Sequence, residues 1–210
     1  MSSNYDKGPD YYAARAKKEG YPARSVYKLE EIQEKFRIIR KGQRLLDVGA
    51  APGSWTLYAL KVLQGSGFVL AVDLNPLSVR NLPKNAAFLQ GDITDNPLRE
   101  RLLQQGPYDL VMSDAAPNTT GNRTVDSGRS FSLVWEILDV SALCLRPGGS
   151  VVVKIFQGGD EGQILERLHA EYETARALKP KASRKVSFET YCIGIGKRSG
   201  EGGENDGPSR

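Results

Sequence analysis

The chain has 210 residues, of which 40% are hydrophobic and 26% charged, a composition typical of a soluble domain with one full hydrophobic core. No apolar run approaches the roughly 20 residues that a membrane-spanning helix needs, and the polar first residues lack the apolar segment of a signal peptide, so we expect a cytoplasmic protein. The single histidine, His169, lies in a charged helical stretch, and Cys144 and Cys192 are far apart in the sequence. Neither a metal site nor catalysis by histidine is therefore expected.

The net charge of +4 is unevenly distributed along the chain. Residues 1–44 contain 11 Lys and Arg against 6 Asp and Glu, and residues 175–198 contain 7 against 1, whereas residues 45–174 contain 10 against 15. Two basic segments beside an acidic middle are expected of a protein that binds a phosphate backbone. Ordinary solvated lysines would give the same counts, so this interpretation needs nucleic-acid chemistry elsewhere in the chain.

In chain order, residues 1–9 are polar and are expected to be disordered. Residues 10–43 form a basic helical extension with one helix around 11–18 and a second over 24–37, in which apolar residues recur at helical spacing. Lys28 lies at the border of that apolar face, where a lysine is either a surface residue or one that reaches into a cleft.

Residues 44–55 are the stretch around which the remaining chain is organised. They read as an apolar strand over 44–49, a loop of small residues and the start of a helix over 53–64. Gly49 and Gly53 allow the backbone to approach a ligand closely, and the free N–H groups at the helix start favour polar or anionic ligand groups. The third glycine of the dinucleotide fingerprint is missing, which disfavours NAD. A packed turn without any ligand is the alternative for this loop on its own.

Strands and helices alternate after this loop, which predicts an α/β domain with a parallel sheet and helices on both faces, extending to residue 198. The polar residues 199–210 are expected to be a disordered tail. The segment 118–130 is long for a connection in such a fold, and we interpret it as a loop that closes over substrate or as a disordered surface loop. The other predicted elements are strands 68–73, 86–89, 108–113, 150–156, 172–178 and 188–196, and helices 76–80, 97–105, 129–144 and 160–170.

Four acids end the predicted strands or follow them closely, at the edge where ligands bind in this architecture. They are Asp47, Asp73, Asp92 and Asp114. Carboxylates there suit ribose hydroxyls, an adenine amino group and an ammonium, and so indicate a positively charged nucleoside such as S-adenosylmethionine. A lone acid after a strand is often only a helix N-cap, which is the alternative for Asp92.

With these residues identified, the sequence resembles the FtsJ/RrmJ family of ribosomal RNA 2′-O-methyltransferases. The resemblance implies a Rossmann-like S-adenosylmethionine-dependent methyltransferase fold, with a mostly parallel seven-stranded sheet, an antiparallel last strand and helices on both faces. The matching segments are RSVYKL at 24–29, DVGAAPGSW at 47–55, MSDAAPN at 112–118, PGGSVVVKIFQG at 147–158 and the motifs within 183–191.

The resemblance also implies the functional residues. It places a catalytic tetrad at Lys28, Asp114, Lys154 and Glu189, with Lys154 as the general base or as a stabiliser of the developing alkoxide. It places cofactor contacts at Gly53, Trp55, Asp73, Asp92 and Asp114, and it implies no metal. Ser54 departs from the second glycine that the family commonly has after its proline.

The activity implied is 2′-O-methylation of a ribose, at a uridine of 23S-type ribosomal RNA. The protein is expected to be a monomer, and its partner is expected to be this RNA or the large ribosomal subunit and not DNA. A transfer-RNA 2′-O-methyltransferase is the nearest alternative, and a non-catalytic ribosome assembly factor is an alternative of another class. The intact tetrad argues against the latter. Because the tail after residue 198 carries no appended RNA-binding domain, target choice is expected to come from the domain itself.

Overall fold

The computed structural model describes residues 9–158, 160–184 and 187–199. The segments predicted to be disordered, 1–9 and 199–210, lie outside this range except for Ser199 and for Pro9, which is the first residue of a helix. None of the helices in the described ranges has the length and apolar character needed to cross a membrane. The elements are α1 (Pro9–Lys18), α2 (Val26–Phe36), β1 (Arg44–Val48), α3 (Ser54–Leu63), β2 (Phe68–Asp73), β3 (Ala86–Gln90), α4 (Asn96–Gln104), β4 (Tyr108–Ser113), α5 (Arg123–Cys144), β5 (Leu145–Phe156), α6 (Glu161–Glu171), β6 (Tyr172–Leu178) and β7 (Glu189–Lys197).

Seven strands form one sheet in the order β3-β2-β1-β4-β5-β7-β6. Strands β1 to β5 pair in parallel, whereas β7 runs antiparallel to both of its neighbours, β5 and β6. The predicted sheet, mostly parallel with an antiparallel last strand, is confirmed. The chain turns back in the strand order between β1 and β4, and the carboxyl ends of the strands on either side of this point form the crevice where such folds bind ligands.

Both faces of the sheet are covered by helices. Strands β1, β2, β4 and β5 are nearly continuous runs of buried apolar residues, as expected of a parallel sheet with no solvent-exposed face. One face packs against α4, α5 and α6, and the other packs against α1, α2 and α3. The basic N-terminal extension is therefore part of the folded domain, and it lies on the face that includes Val152 and Tyr191.

The structure differs from the predicted elements by more than two residues at three places: the helix predicted over 76–80 is absent, α5 begins early, and β5 begins at Leu145 instead of 150. Residues 76–80 are not helical, because this short segment packs on the β1–α3 loop: the Ser78 N–H donates to the Pro52 carbonyl oxygen at 3.0 Å. Helix α5 begins at Arg123 instead of 129, because the Asn122 side chain accepts the N–H groups of Thr124 and Val125 at 3.1 and 3.3 Å. Such an N-cap satisfies donors that a helix start otherwise leaves free.

The connection between β4 and α5 is shorter and more firmly attached than predicted. The Asp126 carboxylate is only 2% exposed and accepts the Thr120 N–H at 2.7 Å, the Thr120 hydroxyl at 2.8 Å and the Gly121 N–H at 3.2 Å. These bonds lower the pKa of Asp126, whose carboxylate stays ionised and holds the loop against the helix. The interpretation of 118–130 as one long loop is wrong for residues 123–130, which are helical.

Asp47 lies inside the domain instead of at a ligand-facing edge. Its side chain is completely buried in β1, where one oxygen accepts the Thr56 hydroxyl at 2.6 Å and the other has no partner among the described residues. Burial is the main cause that raises its pKa to about 7 from the ordinary 3.8, with smaller contributions from the charges of Asp114 and Asp73. The expectation that Asp47 faces the ligand is therefore wrong.

We predict that Asp47→Asn removes a pH dependence of stability. Between pH about 4 and about 7 the unfolded chain releases this proton while the folded protein retains it, so the free energy of unfolding falls as pH rises. The asparagine variant should gain stability relative to wild type across that window, measured by urea unfolding at several pH values. Asp95→Asn, at an exposed position, is the control. A difference that does not change with pH would contradict the protonated state.

Candidate active site

Strand register alone brings Asp114 beside Lys154. Strands β4 and β5 are parallel, with Ser113 opposite Val153. The next residues, Asp114 and Lys154, therefore lie at the same level of the sheet edge. Strand β7 is antiparallel to β5, with Lys154 opposite Tyr191 and Phe156 opposite Glu189. The start of β7 therefore meets the ends of the parallel strands.

Two ion pairs form at this edge. The Lys154 ammonium lies 3.1 Å from Asp114 Oδ1 and also donates to the Asp114 carbonyl oxygen. The Lys28 ammonium lies 2.6 Å from Glu189 Oε1. Helix α2 brings Lys28 to this position because the neighbouring Leu29 is fully buried in the core beneath it. All four predicted tetrad side chains are largely buried and are combined into these two pairs.

Tyr191 connects the two pairs and was missed by the sequence reasoning. Its hydroxyl donates to Asp114 Oδ1 at 2.5 Å, and the Lys28 nitrogen lies 5.9 Å from its ring centroid. Burial, followed by the charges of Asp114 and Glu189, raises the pKa of Tyr191 well above 10, so this residue is a neutral donor. The available signal was the alternation of a strand, because Tyr191 follows Glu189 by two residues and so points to the same face.

This geometry fixes the position of the Lys154 nitrogen. One oxygen of Asp114 accepts from both Lys154 and Tyr191, so the carboxylate is held from two sides and cannot rotate freely. Lys154 is only 9% exposed. Its ammonium contacts both the carboxylate and the main-chain carbonyl oxygen of Asp114. In its neutral form such an amine can accept a proton, and in its charged form it can stabilise an oxyanion.

The loop after β1 lies next to this pair. The N–H groups of Gly49 and Ala50 donate to the Val72 carbonyl oxygen at 2.8 and 3.0 Å, which joins the loop to β2. Gly49 has φ +72°, and a β-carbon there would lie 2.4 Å from that of Ala115. Only glycine allows the segment after β4, which carries Asp114, to approach the loop this closely.

Asp73 and Asp92 follow neighbouring strands along the same edge. Asp73 accepts the Ala51 N–H at 2.9 Å with one oxygen and the Asn75 N–H at 2.7 Å with the other, so it also organises the glycine loop. Asp92 accepts the Thr94 N–H and hydroxyl at 2.9 and 2.8 Å through Oδ1 alone, which forms a local turn and not the helix N-cap. Since an ionised carboxylate has about four acceptor positions, both residues can still accept from a ligand.

Helix α3 begins within the site, and its first residues also attach the N-terminal extension. The Ser54 hydroxyl accepts the Ala23 N–H at 2.7 Å and donates to the Ala23 carbonyl oxygen at 3.1 Å. The Trp55 indole is buried, stacks on Tyr191 with centroids 5.8 Å apart and donates to the Ser25 carbonyl oxygen at 3.0 Å. The Trp55 side chain is therefore engaged within the protein, and its main-chain N–H, in the first helical turn, is the group it offers to a ligand. The Gly53 N–H, by contrast, donates to the Ala50 carbonyl oxygen at 2.7 Å.

The two basic segments of the chain meet on one side of the domain. The Arg24 guanidinium donates to the Ala182 carbonyl oxygen at 2.8 Å, and the Lys181 N–H donates to a Glu31 oxygen at 2.7 Å. Burial, together with the positive charge of Arg184, lowers the pKa of Arg24. Cations that are far apart in the sequence thus share one surface. This surface includes part of the predicted cluster 179–185. Lys185, the last residue of that cluster, lies outside the described residues.

The edge as a whole fits the cofactor predicted from the sequence. Along it lie Asp92, Asp73, the glycine loop and Asp114, in the order of the strands that they follow. The carboxylates have unused acceptor positions and suit hydroxyls, an amino group and an ammonium. The N–H groups at the start of α3 suit a carboxylate. S-adenosylmethionine carries all of these groups. The Lys154 nitrogen is held at the adjacent Asp114.

Comparison with known proteins agrees with this arrangement. Residues 21–197 match the family of FtsJ-like methyltransferases. The chain is 50% identical over 195 residues to ribosomal RNA large subunit methyltransferase E of Treponema denticola, covering 93% of this chain and 98% of that protein. The protein of the same name from Syntrophobacter fumaroxidans is 46% identical over 187 residues, with 89% and 94% covered.

Solved structures share the fold at lower identity. A crystal structure described as a ribosomal RNA methyltransferase from Plasmodium falciparum has a TM-score of 0.74 and 24% identity, covering 84% of this chain and 98% of that one. Human methyltransferase-like protein 13, in complex with S-adenosylhomocysteine, has a TM-score of 0.55 and 15% identity, with 79% and 76% covered. With a family match over most of its length and relatives at up to 50% identity, the chain belongs to the FtsJ-like methyltransferases.

Proposed function

We propose that this methyltransferase uses S-adenosylmethionine to methylate the 2′-hydroxyl of a uridine in large-subunit ribosomal RNA. The observation that carries the proposal is the Lys154 ammonium, held 3.1 Å from Asp114 at the edge that also carries the glycine loop. The names of the relatives, ribosomal RNA large subunit methyltransferase E, support ribosomal RNA as the substrate. Action on ribosomal RNA also implies a cytoplasmic location.

In the proposed reaction, each residue of the site has a task. S-adenosylmethionine, when bound, supplies a methyl group from a sulfonium that leaves as a neutral thioether. Lys154, in its neutral form, accepts the proton of the 2′-hydroxyl as the oxygen–carbon bond forms. Asp114 and Tyr191 hold the Lys154 nitrogen in position, and the Lys28–Glu189 pair orients the ribose at the other end of the site. A placed base typically contributes about 10²–10⁴ in rate, and positioning contributes roughly 7–11 kcal/mol of the barrier.

The two basic segments support RNA as the macromolecular partner. They meet through the Arg24–Ala182 and Lys181–Glu31 contacts, which bring cations of both segments close enough to contact the phosphates of one RNA. All four tetrad residues come from one chain, so a monomer suffices for the reaction. A non-catalytic assembly factor would not need two buried Lys–acid pairs, since burying unused charges costs free energy.

The substrate is tested by mapping 2′-O-methyl groups in RNA from cells with and without the protein. We expect one uridine of the large-subunit ribosomal RNA to lose its methyl group, to regain it with the wild-type gene and not to regain it with Lys154→Ala. Loss of a methyl group in transfer RNA instead would establish the transfer-RNA activity. Unchanged methylation in all RNA would leave only a role in assembly.

The role of Lys154 is tested by two substitutions. As a general base, Lys154→Ala should lose about 10²–10⁴ in single-turnover methyl transfer with cofactor binding nearly intact. Lys154→Arg should do little better, because a guanidinium cannot release its proton at accessible pH. The wild-type rate should rise with pH through one ionisation that both variants lack. A fast arginine variant with the same pH profile would instead make Lys154 a fixed positive charge.

Cofactor binding is tested at Asp73. Because Asp73→Ala removes both the predicted ribose acceptor and the bond to the Ala51 N–H, S-adenosylmethionine should bind roughly 10- to 100-fold more weakly in calorimetry, as expected for loss of charged hydrogen bonds. Asp95→Ala is a matched control, since this nearby acid is exposed and makes no capping bond. Equal affinities in the two variants would remove Asp73 from the cofactor site.

A further inference from the structure

A cleft of about 480 Å³ lies where β5 ends and β7 begins, beyond the tetrad. It is lined by Arg123, Thr124, Gln157, Gly158 and Glu161. Beside it, Phe156 and Phe188 pack with ring centroids 4.7 Å apart at an angle of 52°. Both residues are half-buried, so the aromatic pair is partly accessible at the edge of the sheet.

The aromatic pair continues the catalytic surface. Phe156 follows Lys154 by two residues in an extended strand, so the two side chains share a face and are separated by about 7 Å along the strand. Phe156 is also the cross-strand partner of Glu189. A nucleotide whose 2′-hydroxyl reaches Lys154 therefore has its remaining atoms within reach of this pair.

The wall of the cleft is held in place by main-chain bonds. The Gln157 N–H donates to the Phe188 carbonyl oxygen at 2.7 Å, and the Gln157 carbonyl oxygen accepts the Ser127 hydroxyl at 3.2 Å. The Arg123 guanidinium lies over the Phe188 ring, 5.3 Å from its centroid. Within the described ranges, the Gln157 side-chain amide makes no hydrogen bond, so it can both donate to a ligand and accept from one.

These groups suit a nucleobase better than a phosphate. The cleft contains one cation, Arg123, and one anion, Glu161, so its formal charge is balanced. The first N–H groups of α5, which could otherwise attract a phosphate, are occupied by the Asn122 side chain. Aromatic rings, a guanidinium plane and a carboxamide are the groups with which proteins stack unpaired RNA bases and contact their edges.

We propose that Phe156, Phe188, Arg123 and Gln157 form the subsite for the base of the nucleotide that is methylated. This inference rests on the proposed function. The base stacks on the exposed part of the Phe156–Phe188 pair, and Gln157 contacts its edge. The base is thereby separated from its neighbours in the strand, and its ribose is directed toward Lys154.

The experiment uses the full chain and large ribosomal subunits from cells that lack this protein. Phe188→Leu should raise the KM for subunits roughly 5- to 100-fold, the range found for loss of one base-stacking ring, with unchanged affinity for S-adenosylmethionine. Phe188→Tyr retains the ring and should recover wild-type behaviour. Phe131→Leu is the matched control, because Phe131 forms a similar pair with Trp135 on α5, at 5.5 Å. Thermal unfolding checks that all three variants fold.

Salt dependence separates stacking from phosphate binding. Phe188→Leu should leave the slope of log affinity against log salt unchanged, because no cation is lost, and a changed slope would contradict a stacking role.

A KM for Phe188→Leu equal to that of Phe131→Leu would overturn the subsite while leaving the proposed function intact. If wild-type protein transfers no methyl group to the subunits, the proposed function fails. In that case the subsite is decided by the affinity for an oligouridylate, measured by fluorescence anisotropy. Weaker binding by Phe188→Leu than by Phe131→Leu would support the subsite, and equal binding would overturn it.

Discussion

The antiparallel pairing of β5 with β7 is the constraint on which the candidate active site depends. Parallel strands place their carboxyl ends at one edge, which accounts for Asp114 and Lys154, but a further parallel strand would place its first residue at the opposite edge. Because β7 runs in reverse, its beginning joins the same edge and brings Glu189 and Tyr191 to the other residues. Tyr191 then donates to the carboxylate that holds Lys154. A shift of one residue in this register would turn Lys154 or Tyr191 to the other face of the sheet.

The N-terminal extension joins the loop before α3 to the basic segment around Lys181. Ser54 and Trp55, at the start of α3, bind the main chain of Ala23 and Ser25, while Lys28 pairs with Glu189. Ser54 stands where the family commonly has a glycine. Its hydroxyl accepts one of these bonds, from the Ala23 N–H, and donates another to the Ala23 carbonyl oxygen. Movement of the extension would therefore disturb both the loop that precedes α3 and the position of Lys28.

Acids at similar positions of neighbouring strands have different roles because their burial differs. Asp47 is completely buried, so the protonated form is favoured and the side chain contributes to the interior. Asp73 and Asp92 are partly exposed and are anchored by main-chain N–H groups, which leaves some of their acceptor positions open to a ligand. Asp126, on helix α5, is nearly buried as well, yet three hydrogen bonds from the preceding loop lower its pKa. Partners and solvent, not position along the strand, decide which carboxylate can serve a ligand.

The sequence by itself determined the fold class, and the resemblance it carries predicted the reversed last strand and the four residues that the structure brings together in two ion pairs. Apolar periodicity and short motifs are local, and the resemblance assigned those motifs to a known arrangement. Only the tertiary structure decided that Tyr191 bonds to Asp114, that the Trp55 indole is buried, that Asp47 is enclosed and that α5 begins at Arg123. It also joined the two basic segments, which are separated by more than a hundred residues. Such contacts depend on strand register and on packing between distant segments, and a pattern of neighbouring residues does not contain that information.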